Sequence, residues 1–165
     1  MLARSWHRVR QFFGALRPRV SAHERAAAYE YLDPPLRVVF ESMTLRDQQH
    51  GIVVWRRVRA KSPSPDADLF AAALIHDCGK GEIAIWHRVV HVLMGAFAPA
   101  IERRIAAETG APWRQALWRL REHPRLGADM ARAAGASGEV MRLIAEQDAV
   151  SPDARLAMLQ AADDG

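Results

Sequence analysis

Apolar residues recur along this chain at intervals of three and four positions, the period of a helix that packs one face on a core. No stretch shows the sustained alternation of apolar and polar residues that is typical of a half-buried strand. The pattern predicts an all-α, compact single-domain fold of many helices. Capping residues and breakers divide it into helices over 3–16, 21–32, 35–42, 45–60, 65–78, 82–97, 99–109, 112–122, 124–134, 138–148 and 152–163.

Local signals mark several of these boundaries. Ser21 and Glu24 have the spacing of a capping box, in which each side chain bonds to the other residue's backbone N–H. Gly79 is expected to end a helix in the left-handed conformation. The pair His123-Pro124 is expected to begin a new helix, since proline is tolerated at the first helical position and disrupts a helix interior.

The N-terminal segment is both basic and amphipathic. Arginines lie on one predicted helical face of residues 3–16, and the other face carries Trp6, Val9, Phe13 and Leu16. Such a helix can bind a membrane surface or a partner, but it more commonly docks on its own domain. We therefore expect an N-terminal helix within 1–20 that packs on a helical domain spanning 21–165.

Composition is consistent with a soluble, cytoplasmic domain. The chain has 165 residues, half of them apolar and a quarter charged, and its one cysteine excludes an intrachain disulfide. We expect no secretory signal, because arginines interrupt the apolar runs near the N-terminus. The most apolar later stretch, "VVHVLMGAFAPAI", is too short to span a bilayer and is expected to form a buried helix. The net charge of +4 permits phosphate-bearing partners, but the arginines are too scattered to predict specific nucleic-acid binding.

Four ionisable residues fall where the helical pattern predicts burial: His50, His76, Asp77 and Asp163. Burial of unpaired charged groups is costly, so several of them from different helices suggest a shared ion. Two imidazoles and two carboxylates suit a divalent metal such as Mn, Fe, Co, Ni, Mg or Zn. Taken alone, "AAALIHDCGKGE" could equally be a helix whose C-terminus carries polar residues.

These residues resemble the H…HD…D signature of the HD-domain metal-dependent phosphohydrolase superfamily. "HDCGK" is similar to its HD-aliphatic-GK motif, with Cys78 at the aliphatic position, and "RDQQHGIVVWRRV" resembles its first-histidine helix. "EHPRLGADMARAAG" resembles a later His-Pro-x-x-Gly segment, and "MLQAADDG" resembles the segment with the last aspartate. The order and spacing match over residues 44–163, and the pattern is most similar to small stand-alone bacterial HD (HDIG-type) proteins whose substrate is not established.

The resemblance implies an all-α HD-domain fold and one divalent metal on His50, His76, Asp77 and Asp163. It also implies hydrolysis of a phosphomonoester or phosphodiester by a metal-activated water, with a nucleotide as the expected substrate. Asp164 is a rival for the last ligand, but Asp163 matches the family's Ala-Asp position. The resemblance further implies that Asp77 acts both as a metal ligand and in catalysis.

Basic residues near the motif are candidates for binding the phosphate. Lys80 follows the metal pair and is expected to neutralise phosphate charge in catalysis, whereas Arg46, His123 and Arg125 are expected to hold the substrate. Each of these residues also has a purely structural interpretation. Lys80 is also a favourable cation at a helix C-terminus, the arginines are typical of a solvated surface, and His123 can cap a helix.

A second metal is not expected. His123 occupies a position where two-metal members of the superfamily add a histidine, but "LIAEQD" has Gln147 where a histidine is common, and no GYP motif occurs. A neutral amide is a poor replacement for imidazole. The same substitution supports an alternative function, a metal-binding regulatory or ligand-binding module with little or no turnover.

Two further features carry less weight. His87 and His91 have the spacing of a helical metal pair, but no acidic residue lies between them, so a separate metal site is not expected. His87 or Arg88 is instead expected at the pocket rim. Cys78 is expected to be a small buried hydrophobe rather than a nucleophile.

Overall fold

The computed structural model describes residues 19–165, which form nine α-helices and one short 3-10 turn without any strand. The all-α prediction is therefore confirmed. The helix predicted over 3–16, and with it the N-terminal unit over 1–20 except for its last two residues, lies outside the described part of the chain. The helices are α1 Ala22–Tyr29, α2 Pro34–Ser42, α3 Leu45–Lys61, α4 Ala67–Ile75, α5 Ile85–Phe97, α6 Pro99–Ile105, α7 Pro112–Ala133, α8 Gly138–Ala145 and α9 Ala154–Asp163, with the 3-10 turn at Cys78–Lys80 between α4 and α5.

Side-chain caps account for most helix starts. The capping box at Ser21 and Glu24 is present, with both reciprocal bonds formed. The start of α4 differs from the prediction by two residues because the Asp66 side chain accepts the backbone N–H of Leu69 at 3.1 Å. An aspartate N-cap satisfies a donor that the helix itself leaves unpaired, so α4 begins at Ala67.

The α4 helix is the centre of the core. Every residue from Leu69 to Ile75 is buried, and α2, α3, α8 and α9 all pack against this helix. Close approach of α3 depends on Gly51, because a Cβ at that position would lie 2.3 Å from the carbonyl oxygen of Leu74. The glycine lets α3 cross α4 one residue beyond His50, near the end of α4.

The helix break predicted at His123-Pro124 is wrong, since both residues lie inside the continuous helix α7. Pro124 has no N–H to donate to the carbonyl of Leu120 four residues earlier. The His123 Nδ1 donates to that carbonyl instead, at 2.6 Å. The histidine side chain thus replaces the hydrogen bond that the proline removes, and His123 does not act as an N-cap.

The prediction that Gly79 ends a helix in the left-handed conformation is also wrong. The positive backbone angle falls at Gly81, with φ of 63°, whereas Gly79 lies inside the 3-10 turn. A Cβ on Gly79 would lie 2.1 Å from the carbonyl oxygen of His123 and 2.6 Å from the amide nitrogen of Gly127. Gly79 therefore allows the turn to sit directly on the backbone of α7.

No helix between residues 19 and 165 combines the length and apolar character that crossing a bilayer requires.

The contact between the turn and α7 predicts a cost for Gly79→Ala. The added methyl group forces backbone apart, so we expect a loss of about 1–3 kcal/mol in the free energy of unfolding, measured by urea denaturation. Gly138→Ala is the matched control, because nothing lies within 4 Å of a Cβ there and its φ is not positive. Equal stability of the two variants would contradict the packing argument.

Candidate metal centre

The four predicted metal ligands come from three places in the fold. His50 lies in the first half of α3, His76 and Asp77 directly follow α4, and Asp163 is the last residue of α9. His76 and Asp77 are buried, with 1% and 2% of their surface exposed, while His50 and Asp163 are more open. The site therefore has a buried wall from α4 and a rim from α3 and α9.

The structure brings the four side chains together. Ligand-competent atoms of His50, His76 and Asp77 all lie within 4.8 Å of one another. Asp163 completes the group, since its Oδ1 lies 2.6 Å from the Nε2 of His50 and 3.4 Å from the Nε2 of His76. Asp164, the rival ligand in the sequence, lines the neighbouring pocket but forms no ion pair with either histidine.

The nitrogen atoms of His76 provide a test of whether a metal fits. Its Nδ1 lies 3.0 Å from the carbonyl oxygen of Ala73, which can only accept, so Nδ1 carries a hydrogen. Its Nε2 is buried and finds no hydrogen-bond partner among residues 19–165, and it lies 3.4 Å from a carboxylate oxygen of Asp77 and of Asp163. In the neutral ring this nitrogen presents a lone pair toward two negative groups, an arrangement that either a cation among them or an added proton would stabilise. The donor set fits a divalent metal.

Charges in the site are strongly coupled. Burial alone would lower the pKa of His76, but the negative charges of Asp77 and Asp163 outweigh it and raise the pKa above its usual value. Burial alone would raise the pKa of both carboxyls, but the imidazoles beside them, and Lys80 in the case of Asp77, hold these pKa values well below the usual range. Both acids are therefore ionised, and a cation or proton at His76 is favoured.

Lys80 lies beside Asp77 and lines the pocket. Its Nζ donates to the Oδ2 of Asp77 at 2.6 Å, inside the short turn that follows α4. The other carboxylate oxygen of Asp77 lies 3.6 Å from the Nε2 of His123, a residue expected to bind substrate. Burial and the charge of Lys80 lower the pKa of His123, which favours a neutral ring with its Nε2 lone pair toward Asp77. His123 thus lies at the metal-ligand cluster itself.

A pocket of about 620 Å³ opens beside the cluster. Its basic lining residues are Arg46, Arg57, Lys80 and Arg88. Arg88 donates through two nitrogens to the buried carboxylate of Asp47, at 2.7 and 2.8 Å. Arg88 lines the pocket, and its pairing with Asp47 was not predicted from the sequence. Asp47 lies three residues before His50 on one face of α3, but no local pattern joins it to Arg88.

The structure does not place Arg125 at the pocket. Its guanidinium forms ion pairs with Glu122 and Asp129 on the exposed side of α7, at 3.3 and 3.4 Å. Gln147 is buried, and its side chain donates to the backbone carbonyl of His76 at 3.3 Å. The amide therefore supports the backbone of a candidate ligand, next to a second cleft of about 230 Å³ that Asp163 also lines.

The remaining candidates are located elsewhere. His91 bonds to the buried carboxylate of Glu102, and no three-ligand cluster among residues 19–165 includes His87 or His91. Cys78 is buried with its thiol toward the carbonyl of Gly127, and burial raises the pKa of the thiol to about 12. A thiol with that pKa is a poor nucleophile at neutral pH.

Comparison of this chain with family models, curated proteins and solved structures found no match.

Metal affinity should depend on pH through His76. Because the pKa of His76 is raised, a proton competes with the metal for Nε2 as the pH falls. We expect the affinity for Mn²⁺ to rise from pH 6 to pH 8, by up to about tenfold per unit for one displaced proton, as measured by titration calorimetry. The variant His76→Gln should lose binding, and His23→Gln, on the remote helix α1, should bind like the wild type. Affinity independent of pH would contradict this coupling.

Arg57 is expected to position Asp163. Its Nη1 donates at 2.8 Å to the carbonyl of Ala162, in the last turn of α9, and so ties that turn to the helix that carries His50. Because the last turn of a helix frays readily, Arg57→Gln should weaken Mn²⁺ binding about tenfold and leave the thermal midpoint nearly unchanged. Arg56→Gln, which removes only an ion pair with Glu24, is the control. Equal affinities in the two variants would exclude the positioning role.

Proposed function

We propose that this chain is a metal-dependent phosphohydrolase of the HD-domain superfamily, acting on a phosphomonoester or phosphodiester, with a nucleotide as the expected substrate class. The observation that carries the proposal is the buried Nε2 of His76, which has no hydrogen-bond partner in the described part of the chain and faces two carboxylates next to a pocket with basic walls. A site for a cation and a site for a phosphate group therefore adjoin.

His50, His76, Asp77 and Asp163 are the residues that would hold the metal. When bound, a divalent metal supplies a water of lowered pKa and polarises a phosphoryl oxygen. The backbone hydrogen bond of His76 keeps its Nε2 directed at the ion position, as hydrogen bonds to metal-binding histidines generally do.

The charge of the pocket favours an anionic substrate. Four basic and four acidic side chains line the pocket, the acids being Asp47, Asp77, Asp163 and Asp164. Two of these carboxylates belong to the proposed metal site, so the pocket becomes net positive when that site is filled. This positive charge would attract a phosphate group placed between the metal ligands and the basic residues that line the pocket.

Two of the basic residues have fixed positions. The Arg88 guanidinium is held at two nitrogens by Asp47, which fixes its plane and leaves further N–H donors. The Lys80 ammonium is held at one carboxylate oxygen of Asp77 and has two more hydrogens to donate. Donors held in place before the substrate binds lose little entropy when a phosphate arrives.

A metal-binding module with little turnover is the second candidate function. Gln147 favours it, because the amide at this position bonds to the His76 backbone and offers no imidazole to a second metal. One metal on a buried ligand set can serve regulation or ligand binding as well as catalysis.

Phosphatase assays distinguish the two functions. Purified protein loaded with Mn²⁺ or Ni²⁺ should hydrolyse members of a panel that includes p-nitrophenyl phosphate, bis-p-nitrophenyl phosphate and nucleoside monophosphates. Asp77→Ala should reduce the rate to background, and Lys80→Ala should lower kcat by roughly a hundredfold, because a donor to the developing charge is lost. Lys61→Ala, at the only other lysine in the chain and exposed at the end of α3, is the matched control.

The outcomes have different consequences. Metal binding without hydrolysis of any ester would support the module without turnover. Hydrolysis by Asp77→Ala at the wild-type rate would exclude the proposed site altogether.

A further inference from the structure

The helical hairpin of α5 and α6 carries apolar side chains on its outside. Although α5 is rich in apolar residues, none of its residues is buried. We define the α5–α6 apolar face as Trp86, Val89, Val92, Leu93, Phe97 and Ile101, all of them between 44% and 83% exposed. Clusters of this kind on a protein surface commonly mark an interaction site.

The face is continuous because its spacing follows the helix. Trp86, Val89, Leu93 and Phe97 are separated by three, four and four positions, which places them in one stripe along α5. Phe97, the most exposed of them at 83%, stands at the corner where α5 meets α6. The hairpin packs on α7, and the side chains of the stripe are exposed.

The exposed charged side chains on the hairpin are all positive. Its only acidic residue, Glu102, is buried and bonded to His91, and Arg88 is bonded to Asp47. The exposed charged side chains of α5 and α6 are Arg103 and Arg104. The nearest acids along the chain, Glu82 and Glu108, lie outside both helices. The hairpin therefore presents apolar and positive groups together.

We infer that the α5–α6 apolar face docks this protein on an anionic lipid bilayer. An exposed apolar stripe with adjacent arginines matches the chemistry of an acyl surface beneath negative headgroups, and tryptophan favours that interface. A second copy of the chain would bring Arg103 and Arg104 toward the same residues without acidic partners. Nucleic acid would leave the apolar side chains without a partner.

Docking would also orient the pocket. Arg88 lies on α5 between Trp86 and Val89, so the helix that carries the stripe also lines the pocket. A protein bound through the stripe therefore holds the pocket close to the bilayer surface. The inference about docking does not depend on the proposed hydrolase activity.

Vesicle sedimentation with the full chain tests the inference. The protein should pellet with vesicles of phosphatidylcholine and phosphatidylglycerol, pellet less with phosphatidylcholine alone, and be released by high salt. Phe97→Glu should reduce partitioning by at least about tenfold, since a buried aromatic side chain is lost. Arg103→Gln and Arg104→Gln should each reduce it by roughly fivefold on anionic vesicles only. Val150→Glu, at another highly exposed apolar residue, is the matched control and should bind like the wild type.

Other outcomes would overturn the inference. These are absence of wild-type binding to anionic vesicles, unchanged binding by Phe97→Glu, or an equal loss in Val150→Glu. Loss of binding in Phe13→Glu with normal binding in Phe97→Glu would assign the contact to the N-terminal segment. Absence of wild-type binding together with reduced stability of both Phe13→Glu and Phe97→Glu would show instead that the N-terminal segment of the same chain covers the face. A dimer of the wild type in light scattering that Phe97→Glu converts to monomer would assign the face to a second copy. Circular dichroism of each variant verifies that it is folded.

Discussion

The hydrogen bond from the His76 Nδ1 to the Ala73 carbonyl is the interaction on which the whole candidate site depends. It uses the one donor of a neutral ring and directs the other nitrogen at Asp77 and Asp163. Without a cation or an added proton, that geometry places a lone pair against two ionised carboxylates in a buried position. The surrounding core, α4 in particular, holds this arrangement in place, because His76 follows a helix that is buried along its length.

A hydrogen bond from a histidine to a backbone carbonyl also explains the orientation of the His123 ring. Proline inside α7 leaves the Leu120 carbonyl without its helical donor, and the His123 side chain supplies one. The bond that repairs the helix also fixes the ring, so that its Nε2 points at Asp77. Gly79 then allows the 3-10 turn to approach the same stretch of α7. The hydrogen bond that compensates for Pro124 therefore also sets the orientation of the His123 ring in the candidate site.

The sequence was sufficient for the fold class and for a set of residues that the structure brings together, because helical periodicity and the H…HD…D spacing are local patterns. It was insufficient where long-range contacts compensate a local signal. Proline normally ends a helix, and nothing in the sequence around Pro124 shows that a side chain replaces the missing bond. The pair of Asp47 and Arg88 joins positions 41 residues apart, which spacing alone cannot indicate. The apolar stretch of α5 predicted a buried helix, and this is wrong, since none of its residues is buried. Burial depends on the neighbouring elements, which the local pattern does not specify.

Lys80 is the basic residue whose position depends most directly on Asp77. From the sequence it is either a phosphate ligand or a cation that stabilises a helix end, and in the structure its ammonium bonds to Asp77 while it lines the pocket. This bond offsets part of the negative charge that Asp77 brings into a buried position. A cation held by Asp77 would add positive charge next to the ammonium, whose two remaining hydrogens would serve a phosphate in the pocket. If the proposed function is correct, metal occupancy and affinity for an anionic substrate should therefore be coupled through Asp77.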